Sequence, residues 1–315
     1  MRTETVEYYS GGERVRALWR TPEDADEPVP AILQGPGWLG LKDAAAYLPY
    51  HRGLAEAGFG VLCIDYRGFG DSEGEPGIVS PARQLADLVN GVTYLTTRSD
   101  VAAESIGAFA TGGTGGGNVV LLAAADPRVR AVVSQVPVAD GGDWLHRMRT
   151  EHEWLEFLAL LEQDRAERVR TGKSRMVNPR EEIMVQTPER RRSGFKRDVD
   201  GRIPPLCPLS VVDDLLTYRP VRAAEGLRTP LMVVAVENDA TTPTDHAVSI
   251  YEAAAGPKKL LLQRHTSHYA AYQQYGDSVI EHMVAWFRTH VRPPGEIVVR
   301  SAMPLEGQDA AHCGR

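Results

Sequence analysis

The chain has 315 residues, a hydrophobic fraction of 43% and a formal net charge of −7. This length exceeds the usual single domain, but α/β folds often reach it as one domain with a large core. The negative charge argues against nucleic acid as a main partner. No apolar stretch approaches the roughly 18 residues of a membrane span, and the N-terminus has no apolar core of a secretory signal. We therefore expect a cytoplasmic protein that binds no membrane.

The three cysteines are Cys63, Cys207 and Cys313, and they show neither a CxxC motif nor metal-ligand spacing. An odd, unpatterned count is typical of reduced thiols rather than of a disulfide framework. The sequence therefore implies no disulfide, no metal and no cofactor.

The elements of the N-terminal half alternate between strand and helix patterns. Two strands joined by a Gly-Gly turn are predicted in TVEYYSGGERVRALWRTP. The short apolar runs VPAILQ, FGVLCIDYRG, SIGAFA and VRAVVSQVPV follow, separated by helical patterns such as Ala44 to Ala57 and the helix that begins at Pro81 after Ser80. Fully apolar strands that alternate with helices predict an α/β fold with a doubly wound, mostly parallel sheet.

The alternation stops at about residue 141, where the sequence becomes charge-rich and mostly helical in pattern, and it resumes with the apolar run PLMVVAVE. We interpret residues 141–228 as an inserted helical cap over the carboxyl edge of the sheet. Residues 1–140 and 229–292 then form the core domain, and residues 293–315 form a loosely held tail. The basic run RRRSGFKR inside the cap is interpreted as a solvated face.

Four segments together carry a family resemblance. They are GFGVLCIDYRGFGDSEGEP, ESIGAFATGGTGGGNVVLLAAADPRVRAVVSQVP, VENDATTP and HTSHYAAY. In this order they resemble the turn after the first crossover helix, the nucleophile elbow, the acid-bearing loop and the histidine loop of α/β-hydrolases in the dienelactone-hydrolase and S15 peptidase-like group. The likeness spans roughly Glu4 to His290, with the cap as its least matched part. It implies the α/β-hydrolase fold and a hydrolase-type enzyme.

Asp239 and His268 are the candidate catalytic acid and base. VENDATTP and HTSHYAAY each follow an apolar strand at its carboxyl end, the edge at which doubly wound sheets bind ligands. The carboxylate would fix the tautomer of the imidazole and stabilise its cation. His265 is a rival base, but it lies nearer the strand end, and the resemblance favours His268. We assign His246 to the first turn of the following helix.

The elbow segment TGGTGGGN carries no serine, cysteine or aspartate where such a turn normally presents its nucleophile. Counting forward from the strand places Gly112 at that position, whereas counting back from the helix places Gly113 there. A literal Gly-x-Thr-x-Gly at Gly112, Thr114 and Gly116 makes Thr114 an alternative nucleophile, activated by His268. Its β-branch fits poorly where the backbone requires a positive φ.

The glycine run keeps the anion-binding part of the elbow, because N–H groups at the start of a helix stabilise an oxyanion or enolate. The resemblance places a second donor in the loop GPGWLG. There Pro36, Gly37 and Trp38 match the family's His-Gly-aromatic pattern with the histidine replaced, which leaves the N–H of Trp38 as the candidate. In the cap, Trp144 and His146 are candidates for substrate binding, with core packing and surface positions as the alternative.

Three functions stay open at this stage. In the first, His268 acts as a general base on water or an acidic C–H, without a covalent intermediate, in the hydrolysis of an ester, amide or diketone or in a lyase or cyclase step. The second is an esterase or thioesterase that uses Thr114. The third is a non-catalytic binding protein, which the matched pair of Asp239 and His268 argues against. The expected partner is a small-molecule substrate, and the sequence leaves a homodimer open.

Overall fold

The computed structural model describes residues 1–195 and 197–291, so the predicted tail 293–315 and Cys313 lie outside the described residues. The described strands are β1 Arg2–Ser10, β2 Glu13–Thr21, β3 Val29–Gly35, β4 Gly60–Ile64, β5 Val101–Gly112, β6 Val129–Pro137, β7 Met176–Val177, β8 Cys207–Pro208, β9 Leu231–Val236 and β10 Lys258–Gln263. The described helices are α1 Leu48–Glu56, α2 Pro81–Thr97, α3 Gly113–Ala125, α4 Gly141–Arg147, α5 Glu151–Thr171, α6 Pro188–Ser193, α7 Arg197–Asp200, α8 Val211–Leu216, α9 Pro220–Ala224, α10 Thr244–Ala253, α11 Ala271–Gln274 and α12 Gly276–His290.

Eight strands form one sheet in the order β1-β2-β4-β3-β5-β6-β9-β10. The predicted hairpin of β1 and β2 is confirmed, and its turn uses the positive φ angles of Gly11 and Gly12. Strand β2 also pairs antiparallel with β4. The pairs β4–β3, β3–β5, β5–β6, β6–β9 and β9–β10 of the same sheet are parallel. The structure therefore confirms the doubly wound, mostly parallel sheet.

Helices cover both faces of this sheet, which explains why β4 and β9 are buried along their whole length. Because side chains alternate along a strand, Val234 packs with α1 and α12 on one face. Its neighbour Val233 packs with α2, α3 and α10 on the other face. An apolar layer therefore packs against each face of the sheet.

The segment interpreted as a cap lies between β6 and β9 and contains α4 to α9, the short β7–β8 pair and a π-helical turn at Pro179–Ile183. Its longest helix, α5, begins with a capping box in which Thr150 and Glu153 bind each other's backbone N–H groups, and it ends at the left-handed Gly172. The exact domain boundaries stay a prediction. Among the described residues, no helix has the length and apolarity that crossing a bilayer requires.

Candidate active site

Asp239 follows β9 and His268 follows β10, and the structure brings them together at the carboxyl edge of the sheet. The Nδ1 atom of His268 lies 2.7 Å from Oδ2 of Asp239. The other carboxylate oxygen, Oδ1, accepts the backbone N–H groups of Thr241 at 2.7 Å and Thr242 at 2.9 Å. The hydroxyl of Thr242 adds a third donor, at 3.1 Å from Oδ2. Asp239 is 8% exposed and His268 is 5% exposed, so the pair is shielded from bulk water.

The surroundings of Asp239 favour the ionised form of its carboxylate. Burial acts to raise the pKa of Asp239, but the imidazole of His268 and the donors from Thr242 and Thr241 outweigh it and hold the pKa below its usual value. The carboxylate is therefore ionised at neutral pH and can only accept the hydrogen bond from Nδ1 of His268. In the neutral imidazole, a proton on Nδ1 leaves Nε2 as the acceptor, the form that a general base needs.

The other candidate histidines lie elsewhere. His265 is exposed in the loop before His268, with a φ of 55°. His246 lies in the first turn of α10, as predicted, where its Nδ1 accepts the N–H of Ala139 at 3.1 Å and its Nε2 lies 2.7 Å from Asp143. Both ring nitrogens of His246 are therefore engaged in joining α10 to α4, and His268 remains the candidate base.

Gly112 and Gly113 both line the cavity, and the backbone geometry favours Gly113 for the nucleophile position of the elbow. Strand β5 ends at Gly112 and α3 begins at Gly113, and both have positive φ angles, 81° and 37°. A Cβ atom built on Gly113 would lie 3.7 Å from Thr242 and 3.8 Å from Trp144, at ordinary contact distance and towards the site. A Cβ on Gly112 would meet only Gly37. This geometry favours the count back from the helix, and the assignment of Gly113 stays a prediction.

The structure does not place Thr114 at the nucleophile position. It lies within the first turn of α3, it is 2% exposed, and it does not line the cavity described below. The literal Gly-x-Thr-x-Gly motif is offset by one residue from the turn that the backbone forms. Thr114 instead offers its backbone N–H, one of the N-terminal groups of a helix that have no partner within the helix.

The loop after β3 packs directly against the elbow, and only glycine fits at the crossing. A Cβ on Gly37 would lie 2.4 Å from the carbonyl oxygen of Thr111, and one on Gly115 would lie 2.8 Å from Cα of Gly37. The N–H of Gly37 donates to the hydroxyl of Tyr47 at 3.3 Å. The N–H of the next residue, Trp38, is therefore the candidate second donor of the oxyanion hole.

A buried ion pair anchors this loop to the end of β4. The backbone N–H of Lys42 donates to Oδ1 of Asp65 at 2.7 Å, and Nζ of Lys42 contacts Oδ2 of Asp65 at 2.6 Å. The same ammonium contacts Asp71 at 2.5 Å. Three bonds from one lysine fix the loop, and with it the position of Trp38, relative to the sheet.

A cavity of about 550 Å³ of empty space, part of it open to solvent, lies between these elements and the cap. Its core side includes Trp38, Gly113, Thr242, His268, Tyr269 and Tyr272. Its cap side includes Trp144, Arg180, Met184, Gln186, Arg190 and Phe195.

Of the two substrate-binding candidates in the cap, only Trp144 lines the cavity. Its indole N–H donates to the carbonyl of Thr241 at 2.9 Å, and its ring meets that of Trp38 edge-on at 5.7 Å. His146 does not reach the cavity. Its ring contacts Glu151 at 2.9 Å and stacks on Trp154 at 4.8 Å, because it projects from the other side of α4.

The interpretation of RRRSGFKR as a solvated face is wrong at its first residue. Arg190 is 9% exposed and lines the cavity, because the short helix α6 turns it inward and leaves Arg191 and Arg192 outside. The sequence reasoning also missed Arg180, in the π-helical turn. A helix of six residues has no periodicity from which the inward residue of three consecutive arginines could be chosen.

Two cysteines, Cys63 and Cys207, are buried free thiols. Within residues 1–195 and 197–291, no group of three or more His, Cys, Asp or Glu side chains is arranged to hold a metal ion.

Comparison with known proteins identifies the family. The family described as X-Pro dipeptidyl-peptidase (S15 family) matches residues 11–270. An uncharacterized 31.7 kDa protein of the traX-finO intergenic region of Escherichia coli is 29% identical over 285 residues, 89% of this chain and 97% of that protein. The polyketide transferase grgF of a Penicillium species is 28% identical over 288 residues, covering 87% and 92% of the two chains.

The solved structures agree with this assignment. The structure of DcsB in complex with its substrate analogue superposes with a TM-score of 0.79 at 21% identity, over 92% of this chain and 99% of that one. This likeness supports the fold, and the family match supports a hydrolase-type enzyme. The chain belongs to the X-Pro dipeptidyl-peptidase (S15) family of α/β-hydrolases.

Proposed function

We propose that the protein hydrolyses a small carbonyl compound, an ester, amide or diketone, by general-base attack of water without a covalent intermediate. The observation that carries this proposal is the glycine at position 113. The residue at the nucleophile position has no side chain, whereas His268 lines the same cavity with its acceptor nitrogen available. The space that a serine side chain would fill is left for a water molecule.

Each step has a residue of this chain to perform it. His268 takes a proton from the attacking water, and the ionised Asp239 stabilises the imidazolium that forms. The carbonyl oxygen gains negative charge, and in this proposal the N–H groups of Trp38 and Thr114 bind it. One such donor contributes about 10²–10³ in rate in enzymes of this chemistry. The imidazolium then returns its proton to the leaving group.

Acyl transfer to an alcohol is the second candidate, because one relative is named a polyketide transferase. The same base would deprotonate an alcohol as readily as water, and the two reactions differ only in which acceptor occupies the space beside Gly113. Adding an alcohol acceptor during ester cleavage and measuring the ratio of transfer product to free acid separates them.

The experiment that tests the proposal measures cleavage of short-chain nitrophenyl esters and β-diketones by wild type, His268→Ala and Thr114→Ala. We expect His268→Ala to lose activity and Thr114→Ala to stay within about threefold of wild type, because the backbone N–H is retained. His146→Ala is the matched histidine control outside the cavity and should behave as wild type. An inactive but folded Thr114→Ala variant, together with burst kinetics in wild type, would contradict the proposal.

A further inference from the structure

The cap places two guanidinium groups in the cavity with only one carboxylate to share. Nη1 of Arg180 lies 2.6 Å from Oδ1 of Asp200, and Nη2 of Arg190 lies 2.9 and 2.7 Å from the two oxygens of the same side chain. The arginine side chains are 16% and 10% exposed. Two cations therefore share one anion at a site largely shielded from water.

Two other acidic side chains of the cap, Glu189 and Asp198, are held elsewhere. Glu189 accepts the hydroxyl of Ser267 and, at 3.3 Å, the N–H of Tyr269. Asp198 accepts the N–H of Ala45 at 2.8 Å. Neither residue lines the cavity, so Asp200 is the one acid in direct contact with the two guanidiniums within the described residues.

The two guanidinium groups have donors left over that could bind an anion. Each guanidinium offers five N–H donors, whereas a carboxylate has about four lone-pair sites, so the pair has more donors than Asp200 can accept. Burial lowers the pKa of Arg180, the contact with Asp200 acts to raise it, and the positive charge of Arg190 acts to lower it. Arg180 and Arg190 themselves line the cavity, whereas the carboxylates of Asp200 and Asp239 lie behind its lining. An anionic ligand would relieve the repulsion and occupy the remaining donors.

The cationic pair is near the reacting groups. The ring of Tyr269 is a common neighbour, since its centroid lies 5.9 Å from Cζ of Arg190 and 4.6 Å from the imidazole of His268. The other lining residues include aromatic rings, with Phe195 tilted against Tyr269 and Tyr272, as well as the polar Gln186, Thr241 and Thr242. A short substrate could thus reach both the guanidiniums and the oxyanion donors.

We propose that Arg180 and Arg190 bind a carboxylate of the substrate, so that the enzyme selects carbonyl compounds that carry a second, acidic group a few bonds from the scissile bond. This inference rests on the proposed function for its chemistry and names the substrate class of the same site. Water attack on a monoester of this class releases an alcohol and leaves a dicarboxylate, which holds the same two contacts as product.

The kinetic test compares monomethyl glutarate with dimethyl glutarate, which differ by one negative charge. In wild type we expect kcat/KM for the acid to exceed that for the neutral diester by about 10- to 100-fold, the value of a hydrogen-bonded charge. Arg180→Gln and Arg190→Gln should lower this ratio towards one, and Arg190→Lys should give an intermediate ratio. Arg191→Gln, on the exposed side of the same helix, is the matched control and should leave the ratio unchanged.

Asp200→Asn gives a result in the opposite direction. Removing the shared carboxylate frees donors on both arginines and raises the net charge of the cavity, so the preference for the acid should increase. A ratio that Arg180→Gln and Arg190→Gln leave unchanged in folded protein, or a decrease in Asp200→Asn, would overturn the inference.

A binding measurement separates this inference from the proposed mechanism. Calorimetric titration with the dicarboxylates from malonate to adipate should show binding to wild type and to His268→Ala, and about tenfold weaker binding to Arg190→Gln. This result stands even if His268→Ala retains turnover and the proposed mechanism fails. Absence of binding of every dicarboxylate to wild type would refute the carboxylate site while leaving the role of His268 intact.

Discussion

Replacing Gly113 by serine would add to the elbow the one group that it lacks. The Cβ atom would lie 3.6 Å from Val138, 3.7 Å from Thr242 and 3.8 Å from Trp144, so the side chain enters the cavity without a clash. The cost comes from the backbone, since a φ of 37° is unfavourable for a residue with a Cβ by about 1–2 kcal/mol. For a chain of 315 residues we expect the Tm to fall by about 1.5–3 °C.

We expect the Gly113→Ser variant to form a covalent intermediate. With His268 as its base, the new hydroxyl should react with a fluorophosphonate and give a burst in nitrophenyl ester cleavage. The assay measures labelling by intact-protein mass spectrometry for wild type, Gly113→Ser and Gly113→Ala, the last of which carries the same backbone strain without a hydroxyl. Only the serine variant should be labelled.

Two results would refute this reasoning. One is labelling of wild type at Thr114, which would mean that the protein already has a nucleophile. The other is a folded Gly113→Ser variant that is inert while Gly112→Ser is labelled, which would mean that the strand rather than the helix defines the nucleophile position.

Three further predictions concern the surroundings of the site. Asp239→Asn should lower kcat/KM on the order of a thousandfold or more, because the amide no longer stabilises the imidazolium of His268, and steady-state kinetics with folded protein checks this. Gly37→Ala should lower the free energy of unfolding by about 3 kcal/mol in urea titrations, because its Cβ would lie 2.4 Å from the carbonyl oxygen of Thr111; an unchanged midpoint would contradict the close loop crossing. Burial, and then Arg20, lower the pKa of His51 from 6.5 to about 3, so between these pH values the unfolded chain binds a proton that the folded chain does not. Stability should therefore fall on acidification, by about 2 kcal/mol from pH 7 to pH 5, and His51→Gln should remove that part of the pH dependence.

The sheet and the acid–base pair could be predicted because each follows from a local pattern. Strands β4 and β9 are buried on both faces and therefore appear as unbroken apolar runs, and the loops that follow β9 and β10 are fixed to one edge by the parallel topology. The parallel topology brings these two loops together, and the family resemblance favours His268 over His265; the structure places Asp239 and His268 2.7 Å apart.

The elbow and the cap were harder to predict from the sequence, for a physical reason. A run of glycines carries no side-chain periodicity, so the boundary between strand and helix at Gly112 and Gly113 could not be read from the sequence. The inward turn of Arg190 depends on tertiary contacts with Asp200, ten residues away, across a helix too short to show a face. His146 and Trp144 are two residues apart on one helix, and only the packing of α4 decides that Trp144 alone reaches the cavity.

The most direct test of the central claim is the mass of the intact wild-type protein, acid-quenched within milliseconds during turnover of a nitrophenyl ester. We expect the wild-type chain to keep its unmodified mass at every time point, because water attacks the substrate directly, and we expect the cleavage to depend on His268. Gly113→Ser, quenched in the same way, provides the positive control for an acyl adduct. An acyl adduct on the wild-type chain, mapped to Thr114 or to any other side chain, would contradict the account.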